Sequence, residues 1–264
     1  MNFNNKTVWI TGASSGIGKG LALAFSNSGA NIIISSRNET KLNEVKLACK
    51  YPDKVKILPL DLAEFSTFQE KVKTAKSIFN GIDILVNNGG ISQRSYAVDT
   101  ELKVDHKIFE VNYFGTIALT KAVLPHFISK KSGQIVVISS IMGKLGTPLR
   151  SAYAASKHAL HGFFDSLRAE LYHDNIKVTI ICPGYVNTNV SKNALTADGS
   201  KHNLDDAGNA NGMSANAFAS KALKVISKEK QEVIIAGTKE TMAVYLKRFF
   251  PSILAKVVRK VNVT

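Results

Sequence analysis

Short apolar runs alternate with longer helical patterns along almost the whole chain. The helical patterns lie near 16–28, 39–50, 64–79, 103–130 and 151–173, and the apolar runs are 8–10, 32–34, 55–58, 82–86, 135–138, 178–181 and 233–235. Strands that are apolar throughout and separated by helices are typical of a parallel sheet with both faces covered. The pattern therefore predicts an α/β fold, a doubly wound, seven-stranded parallel sheet with helices on both faces.

One stretch interrupts this regular pattern. Residues 187–216 are rich in Asn, Ser, Ala, Gly and Asp and have little periodicity. Loops of this length in compact domains are usually functional lids or disordered segments. Because no linker or repeat divides the chain, we predict that residues 1–264 form a single domain, with 187–216 as a mobile substrate lid within it.

Composition narrows the class of protein. Apolar residues make up 45% of the 264 residues, and the two cysteines, Cys49 and Cys182, favour a reduced interior over a disulfide framework. The N-terminus leads straight into an apolar strand, and no apolar run reaches 18 residues, so we expect no signal peptide and no membrane span. The six histidines lack metal-site spacing, so no metal site is expected. We expect a cytoplasmic protein.

The net charge of +14 allows a polyanionic partner. The lysines are spread along the chain rather than gathered in one stripe, a distribution typical of a solvated basic surface. We therefore predict no nucleic-acid partner. A nucleic-acid binder remains an alternative, and it would show steeply salt-dependent affinity for DNA.

A glycine-rich turn, Thr-Gly-Ala-Ser-Ser-Gly-Ile-Gly at 11–18, follows the first apolar run. Glycines allow a tight turn and close approach to a pyrophosphate, and the helix that follows offers free N–H groups to it. An ordinary strand-to-helix turn is the alternative, but the position after the first strand favours binding. The turn predicts a Rossmann-type, NAD(P)-binding domain whose contacts are Gly12, Ser14, Ser15, Gly16, Ile17 and Gly18.

The residues after the second strand bear on the choice of cofactor. An NAD site places an acid there for the ribose 2′-hydroxyl, whereas an NADP site uses an arginine for the 2′-phosphate. This strand ends in Ser35-Ser36-Arg37, without an acid. Arg37 and Ser36 could bind a phosphate through charge-assisted hydrogen bonds. We predict NADP(H), with NAD(H) as the alternative.

Tyr153 and Lys157 are four residues apart at the start of a helix and hence share one face. Reduction of a carbonyl needs a proton donor, and a free tyrosine has a pKa near 10, too high for efficient exchange at neutral pH. A neighbouring ammonium favours the phenolate and lowers that pKa. Ser139-Ser140 ends a strand just before this helix, so a serine hydroxyl is predicted to hold the substrate oxygen beside the tyrosine.

Further motifs complete a recognisable order along the chain. They are Thr11–Gly18, Asp61-Leu62, Asn87-Asn-Gly-Gly90, Asn112, Ser140, Tyr153-x-x-x-Lys157 and Pro183-Gly184. Over nearly its whole length the chain resembles the short-chain dehydrogenases/reductases. The resemblance implies an NAD(P)-dependent oxidoreductase that interconverts a carbonyl and a secondary alcohol by hydride transfer.

The resemblance also implies a role for each matched position. Tyr153 would be the general acid/base, and Lys157 would bind the nicotinamide ribose and lower the tyrosine pKa. Ser140, thirteen residues before the tyrosine, would orient the carbonyl, and Asn112 would hold a water that relays protons to Lys157. The remaining cofactor contacts would be Asp61 and Leu62 near the adenine, Asn88, Gly89 and Gly90 along the adenosine, and Pro183, Gly184, Val186 and Thr188 over the nicotinamide.

Two positions depart from the family pattern. Gly89 stands where the family more often has alanine, and backbone contacts should survive that change. Ser15 stands where many NADP-dependent members have Lys or Arg, which leaves Arg37 as the main basic contact.

The segments 83–95 and 152–160 resemble the hydroxysteroid dehydrogenase-like subgroup, whose members act on lipophilic carbonyls. We predict a mostly apolar substrate site that includes Ile91 and the 187–216 lid, with direct contacts from Ser140, Ile141, Gln93 and Tyr185. The resemblance also implies a homodimer or homotetramer through helices 103–130 and 151–173.

The stretch 242–258 mixes large apolar residues with Lys and Arg. It is either an amphipathic segment in peripheral contact with a membrane or lipid substrate, or a helix packed on the substrate cleft or another subunit. We favour the second interpretation. A non-catalytic nucleotide-sensing or scaffold protein on the same fold is the alternative function. The intact set of Asn112, Ser140, Tyr153 and Lys157 favours the enzyme.

Overall fold

A computed structural model describes residues 3–259, so the chain's first two and last five positions lie outside the described residues. The strands are β1 (Thr7–Thr11), β2 (Asn31–Ser35), β3 (Val55–Ile57), β4 (Ile84–Asn87), β5 (Gly133–Ile138), β6 (Ile176–Pro183), β7 (Val186–Asn187), β8 (Met213–Ser214) and β9 (Glu232–Ile235). Within residues 3–259 the main sheet has the order β3-β2-β1-β4-β5-β6-β9, and every pairing in it is parallel. The predicted doubly wound, seven-stranded sheet is confirmed.

The helices cover both faces of this sheet. They are α1 (Gly16–Asn27), α2 (Glu39–Ala48), α3 (Phe68–Ile78), α4 (Leu102–Phe109), α5 (Thr116–Lys130), α6 (Ser151–Glu170), α7 (Ala207–Ala210), α8 (Ala215–Ser227), α9 (Thr238–Phe249) and α10 (Pro251–Val258). The single helix expected near 103–130 is two helices, joined by a π-helical turn at Glu110–Gly115. The pattern of apolar residues runs through this turn, which is why the sequence did not reveal the interruption.

The sheet separates two apolar cores because neighbouring side chains on each strand point to opposite faces. Val8 and Ile10 of β1 pack with Phe25 of α1 and Phe218 of α8. Trp9, between them in the strand, packs on the other side with the aromatic and aliphatic side chains of α3, α5 and α6. The strands are therefore fixed from both faces, and their carboxyl ends form a rigid base for the loops above them.

Residues 187–216 run from the last residue of β7 through α7 and β8 into the start of α8, and they are tied to the loop that follows β4. Leu195 accepts a hydrogen bond from the backbone N–H of Arg94 at 2.8 Å and donates one to the carbonyl of Ser92 at 2.9 Å. Ser191 and Asp206 of this segment are buried. The segment is thus held by specific contacts to the body of the domain; its mobility stays a prediction.

Candidate active site

The carboxyl ends of β1, β4, β5 and β6 meet at one edge of the sheet, with the N-terminus of α6 above them. At this edge lie the glycine-rich turn after β1, Asn87 to Gly90 after β4, Ser139-Ser140 after β5 and Pro183-Gly184 at the end of β6. Ligands of doubly wound sheets bind outside the carboxyl ends of the strands. The residues singled out in the sequence are therefore gathered at the edge where a ligand is expected.

The glycine-rich turn is shaped to receive a pyrophosphate. Gly12 and Gly16 have left-handed φ angles of +63° and +53°, and a Cβ on Gly18 would lie 2.2 Å from the carbonyl oxygen of Gly12. In the described residues the first turn of α1 carries no acid, and the N-cap Ser15 makes no side-chain capping bond. The N–H groups and positive dipole end of α1 are thus available to an anion, so the turn fits a dinucleotide cofactor.

The other two residues of the turn, Ser14 and Ile17, are both half-buried. The Ile17 side chain packs against the apolar core that contains Phe25 of the same helix. Ile17 therefore offers its backbone, and Ser14 also its hydroxyl, to a ligand.

Asn88 braces this turn from the end of β4. Its Nδ2 donates to the carbonyl oxygens of Thr11 and Gly12 at 2.9 and 3.1 Å, and the Thr11 hydroxyl accepts the N–H groups of Asn88 and Gly89 at 3.0 Å each. Gly90 is exposed, and an added Cβ there would come within 3.0 Å of Asn112 Oδ1. The Asn88 side chain is therefore committed to the protein backbone, and its direct contact with the adenosine stays a prediction.

The positions expected around the adenosine lie on two neighbouring loops. Arg37 is exposed and has no ion pair among residues 3–259, while the hydroxyl of Ser36 accepts the N–H of Asn38 at 3.3 Å. Asp61 holds the next loop by accepting the N–H of Ala63 at 3.0 Å. Leu62 is buried, and its Cδ1 would lie 2.6 Å from a Cβ placed on Gly89. The Arg37 guanidinium is thus accessible to a ligand phosphate.

Tyr153 and Lys157 lie on the buried face of the first turns of α6. Lys157 Nζ donates to the carbonyl of Ile138 at 3.0 Å and lies 5.8 Å from the centroid of the Tyr153 ring. Burial lowers the pKa of Lys157 to about 8. A lysine in this position holds its proton only weakly near neutral pH and can therefore exchange it.

Ser140 and Ser139 point in different directions. Ser140 forms the N-cap of a short 3₁₀ turn, where its hydroxyl accepts the N–H of Met142 at 3.1 Å, and it is hydrogen-bonded to Tyr153. The hydroxyl of Ser139 instead lies 3.0 Å from Nε2 of His161. The geometry thus favours Ser140 as the hydroxyl that meets a substrate oxygen beside Tyr153.

The balance of effects on the Tyr153 pKa differs from the sequence expectation. Burial raises the pKa above its ordinary value, outweighing the hydrogen bond from Ser140 and the positive charges of Arg94 and Arg150, which lower it. The sequence predicts that Lys157 lowers the pKa of Tyr153, but in the structure of residues 3–259 this pKa lies above its ordinary value. The Lys157 ammonium lies over the Tyr153 ring, and the positive charges that lower the Tyr153 pKa are those of Arg94 and Arg150.

Asn112 lies in the π-helical turn between α4 and α5 and is fully buried. Its Oδ1 accepts the N–H of Ile91 at 2.8 Å, while its Nδ2 donates to the Ile91 carbonyl at 2.9 Å and to the Ser156 hydroxyl at 3.1 Å. Single π-turns inside α-helices occur frequently at functional sites. This one turns Asn112 into the site and connects the loop after β4 to the catalytic helix.

Gln93, expected to touch substrate, has a different position. It is fully buried, and its Oε1 accepts the N–H groups of Ala152 and Tyr153 at 2.9 and 3.4 Å. Its Nε2 donates to three hydroxyls, those of Ser95, Thr100 and Ser151. The expectation of substrate contact is wrong for this side chain, because its polar atoms cap the N-terminus of α6 and hold Tyr153 in place.

The remaining residues expected near the nicotinamide and substrate form one wall. Pro183 ends β6, and Gly184 donates its N–H to the Ile235 carbonyl at 3.0 Å. Val186 is buried in the core, so it offers a ligand only its backbone, whereas Thr188 lies against Gly16, where an added Cβ would be 3.0 Å from its Cγ2.

Two predicted substrate contacts border the same wall. Ile141 is buried in a cluster that also contains Tyr153, and the Tyr185 ring lies beside Gly208, in the 187–216 segment. Tyr185 is half-buried and therefore faces both the wall and that segment.

Sequence reasoning missed a buried ion cluster beside Tyr153. Asp206 accepts from Nε of Arg94 at 3.0 Å and from Nη2 of Arg150 at 2.8 Å, and the three side chains are 1–5% exposed. Burial alone would raise the pKa of Asp206, but the two guanidinium groups hold it below its usual range. The cluster joins the loop after β4, the loop before α6 and the 187–216 segment, which no local motif could indicate.

Within residues 3–259 no group of three or more His, Cys, Asp or Glu side chains is placed to hold a metal ion. No helix in the same range is long and apolar enough to cross a membrane.

The glycine turn, the open N-terminus of α1 and the Ser140, Tyr153 and Lys157 side chains together define a dinucleotide-dependent oxidoreductase site. A sequence profile described as short chain dehydrogenase matches residues 6–199. The chain belongs to the short-chain dehydrogenase/reductase family.

Named relatives match almost the whole of this chain. The Anopheles gambiae dehydrogenase/reductase SDR family protein 7-like is 45% identical over 265 residues, covering 98% of this chain and 84% of that protein. The Mus musculus dehydrogenase/reductase SDR family member 7B is 42% identical, covering 96% of this chain and 80% of its own length. These relatives support a dehydrogenase/reductase with a small-molecule substrate.

Solved structures show the same architecture. A short-chain dehydrogenase from Streptomyces avermitilis has a TM-score of 0.79 at 28% identity and covers 96% of this chain and 95% of its own. A short-chain dehydrogenase/reductase from Burkholderia phymatum, solved in complex with NAD, has a TM-score of 0.84 over 100% of this chain and 98% of its own. At 19% identity the second likeness concerns the fold alone.

Proposed function

We propose that this protein is an NADP(H)-dependent oxidoreductase that interconverts a lipophilic carbonyl and the corresponding secondary alcohol. The observation that carries the proposal is the convergence of the Ser140 hydroxyl, the Tyr153 ring and the buried Lys157 ammonium at the carboxyl edge of the sheet. A bound nicotinamide supplies or accepts the hydride. The protein's own residues must then orient the substrate oxygen and move one proton.

Each of these residues has a distinct task. Ser140 and the Tyr153 hydroxyl together bind the substrate oxygen, and Tyr153 donates the proton in reduction or removes it in oxidation. Lys157, with a pKa of about 8, can return a proton toward the tyrosine side of the site. Asn112 fixes the backbone of Ile91 and the Ser156 hydroxyl around this path. Arg94 and Arg150 stabilise the phenolate that forms during turnover.

Arg37 supports the choice of NADP(H). It is exposed after β2, where an acid would stand in an NAD site, and Ser36 lies next to it. A guanidinium binds a phosphate through two parallel hydrogen bonds, which a ribose hydroxyl cannot match. NAD(H), which the Burkholderia phymatum structure contains, is the alternative.

An apolar wall supports a lipophilic substrate. Ile141, Met142 and Leu145 follow Ser140 and form a buried cluster with the half-buried Tyr153. Apolar walls with a few placed polar groups are typical of small-molecule sites. The identity of the carbonyl compound and the favoured direction would follow from a substrate panel.

The cofactor proposal is tested by fluorescence titration with NADPH and NADH on the wild type and Arg37→Ala. We expect tighter binding of NADPH, and loss of at least tenfold of that preference in Arg37→Ala, because one charge-assisted contact contributes about 1.5–3 kcal/mol. Lys41→Ala is the matched control, an exposed cation in the first turn of α2. Equal binding of NADH and NADPH by the wild type would overturn the choice of cofactor.

Turnover tests the catalytic assignment separately. Tyr153→Phe should lower turnover by roughly 10²–10⁴-fold while NADPH affinity is retained, because only the proton donor is removed. A nucleotide sensor would instead keep its cofactor affinity and show no turnover even in the wild type. Unchanged turnover in Tyr153→Phe would show that another group transfers the proton.

A further inference from the structure

Helices α9 and α10 form a hairpin, here called the C-terminal hairpin, that leaves many large apolar side chains exposed. They are Met242 (64% exposed), Tyr245 (58%), Phe249 (67%), Phe250 (59%), Ile253 (52%) and Val257 (45%). Between the two helices lies an apolar groove of about 420 Å³. Scattered exposed apolar residues are ordinary, but a contiguous patch of this kind marks an interaction site.

The charges around the patch are mainly positive. Glu240, the acid at the start of α9, accepts the N–H of Tyr185, whereas residues 241–259 contain four basic side chains, Lys247, Arg248, Lys256 and Arg259, and no Asp or Glu. All four are exposed. Apolar side chains flanked by Lys and Arg are typical of helices that lie in the interface of a membrane with anionic lipids. The patch is therefore complementary to a bilayer surface, whose interior is apolar and whose headgroups carry negative charge.

The buried face of the hairpin forms part of the wall of the active site. Leu254 of α10 and Ala243 of α9 pack in the same cluster as Ile141 and Tyr153. Glu240 of α9 accepts the N–H of Tyr185 at 2.9 Å, in the loop that follows β6. A surface that received the exposed face of the hairpin would thus lie next to the substrate wall.

We propose that the C-terminal hairpin docks on a bilayer containing anionic lipids, with its aromatic and aliphatic side chains in the headgroup region. A second copy of the chain fits less well. A two-fold interface would place the patch against itself and bring its four cations close to the same four on the partner. This docking does not depend on the proposed cofactor or substrate.

Sedimentation of the full chain with vesicles tests the proposal. We expect binding to phosphatidylcholine vesicles with about 30% phosphatidylserine, and at least tenfold weaker binding to phosphatidylcholine alone or at high salt. Phe249→Glu/Phe250→Glu should lower binding to the anionic vesicles at least tenfold, and so should Lys247→Glu/Arg248→Glu.

Matched variants elsewhere control for hydrophobicity and charge. Leu47→Glu changes a 75% exposed apolar residue of α2, and Lys73→Glu/Lys76→Glu reverses two exposed cations of α3. Both controls should sediment like the wild type. NADPH titration and thermal melting of every variant show that the fold is intact and separate this result from the proposed function.

Two outcomes would overturn the proposal. One is that the wild type fails to sediment with anionic vesicles, or that Phe249→Glu/Phe250→Glu sediments equally well. The other is that this variant converts an oligomer of the wild type to monomers without vesicle binding by either, which would make the hairpin a contact between copies of the chain.

Discussion

The turn after β1 and the N-terminus of α6 both face the catalytic edge of the sheet, but different kinds of contact hold them. The turn is rich in glycine and is braced by Asn88, whose amide donates to main-chain oxygens. The start of α6 is held by buried polar side chains, Gln93 and the Arg94–Asp206–Arg150 cluster. The cofactor side of the site, formed by the turn after β1, thus depends on room for backbone atoms to approach closely. The catalytic side, formed by the start of α6, depends on each buried polar group keeping its hydrogen-bond partner.

The largest expected effect is a loss of stability on the catalytic side. Asp206→Asn keeps the shape of the side chain but removes the buried carboxylate that both guanidinium groups contact, so we expect a loss of about 3–5 kcal/mol in the free energy of unfolding. Urea denaturation measures this loss. Asp205→Asn, one residue away, removes an exposed pair with Lys192 and should cost about 0–1 kcal/mol.

The difference in unfolding free energy between the wild type and Asp206→Asn should change with pH in a defined direction. The pKa of Asp206 is lowered in the folded protein, so its contribution is present above the unfolded value near 3.9 and is lost as the pH falls through the folded value. The gap between wild type and Asp206→Asn should therefore close below about pH 4. A gap that stays constant down to acid unfolding would show that the carboxylate charge is not what stabilises the cluster.

On the catalytic side, the buried charge of Lys157 also lowers the stability of the folded protein. Its folded pKa of about 8 lies below the unfolded value near 10.4, so the charged lysine destabilises the fold below pH 8 and stops doing so as the pH rises toward 10.4. Lys157→Met should therefore raise the free energy of unfolding by about 3 kcal/mol at pH 7 and abolish turnover. Thermal melts should show this gain shrinking between pH 8 and 10. A less stable variant at pH 7 would contradict the inferred cost.

Gln93, also on the catalytic side, tests whether a residue that only positions Tyr153 affects turnover. Gln93→Leu leaves the N–H groups at the start of α6 without their acceptor, so we expect a loss of about 1–3 kcal/mol in unfolding free energy. Turnover should fall roughly 10–100-fold because Tyr153 is displaced. Gln134→Leu is the matched control, since its buried amide bonds Thr179 and Ile226 far from the site. It should cost similar stability and leave turnover unchanged; equal loss of turnover in both would refute the positioning role.

The same contrast explains what the sequence could predict. The sheet, the glycine turn and the Tyr153–Lys157 spacing are local patterns, because periodicity, left-handed φ angles and helical neighbours are set within a few residues. The Arg94–Asp206 pair joins residues 112 positions apart, and Gln93 meets Ala152 across 59. Contacts between residues so far apart in the chain produce no recognisable sequence motif. The sequence therefore predicts substrate contact for Gln93, whose polar atoms bond to protein groups instead, and no sequence pattern singles out Asp206.

The smallest expected effect tests the cofactor side at Gly89, where the family more often has alanine. An added Cβ would meet Leu62 Cδ1 at 2.6 Å, the movable end of a side chain. Rotation of Leu62 relieves that contact, and alanine reduces the freedom of the unfolded chain, so Gly89→Ala should change stability by less than about 1 kcal/mol. NADPH affinity should be unchanged, as fluorescence titration would show.

Gly12→Ala provides the contrast to Gly89→Ala within the same turn. Its φ angle is +63°, and the added Cβ would lie 2.7 Å from the Cα of Gly89, which is backbone and cannot rotate away. We expect a loss of at least about 1 kcal/mol in stability and weaker NADPH binding. If both variants behaved alike, the cofactor side would not be limited by backbone space, and the distinction between the two sides of the site would fail.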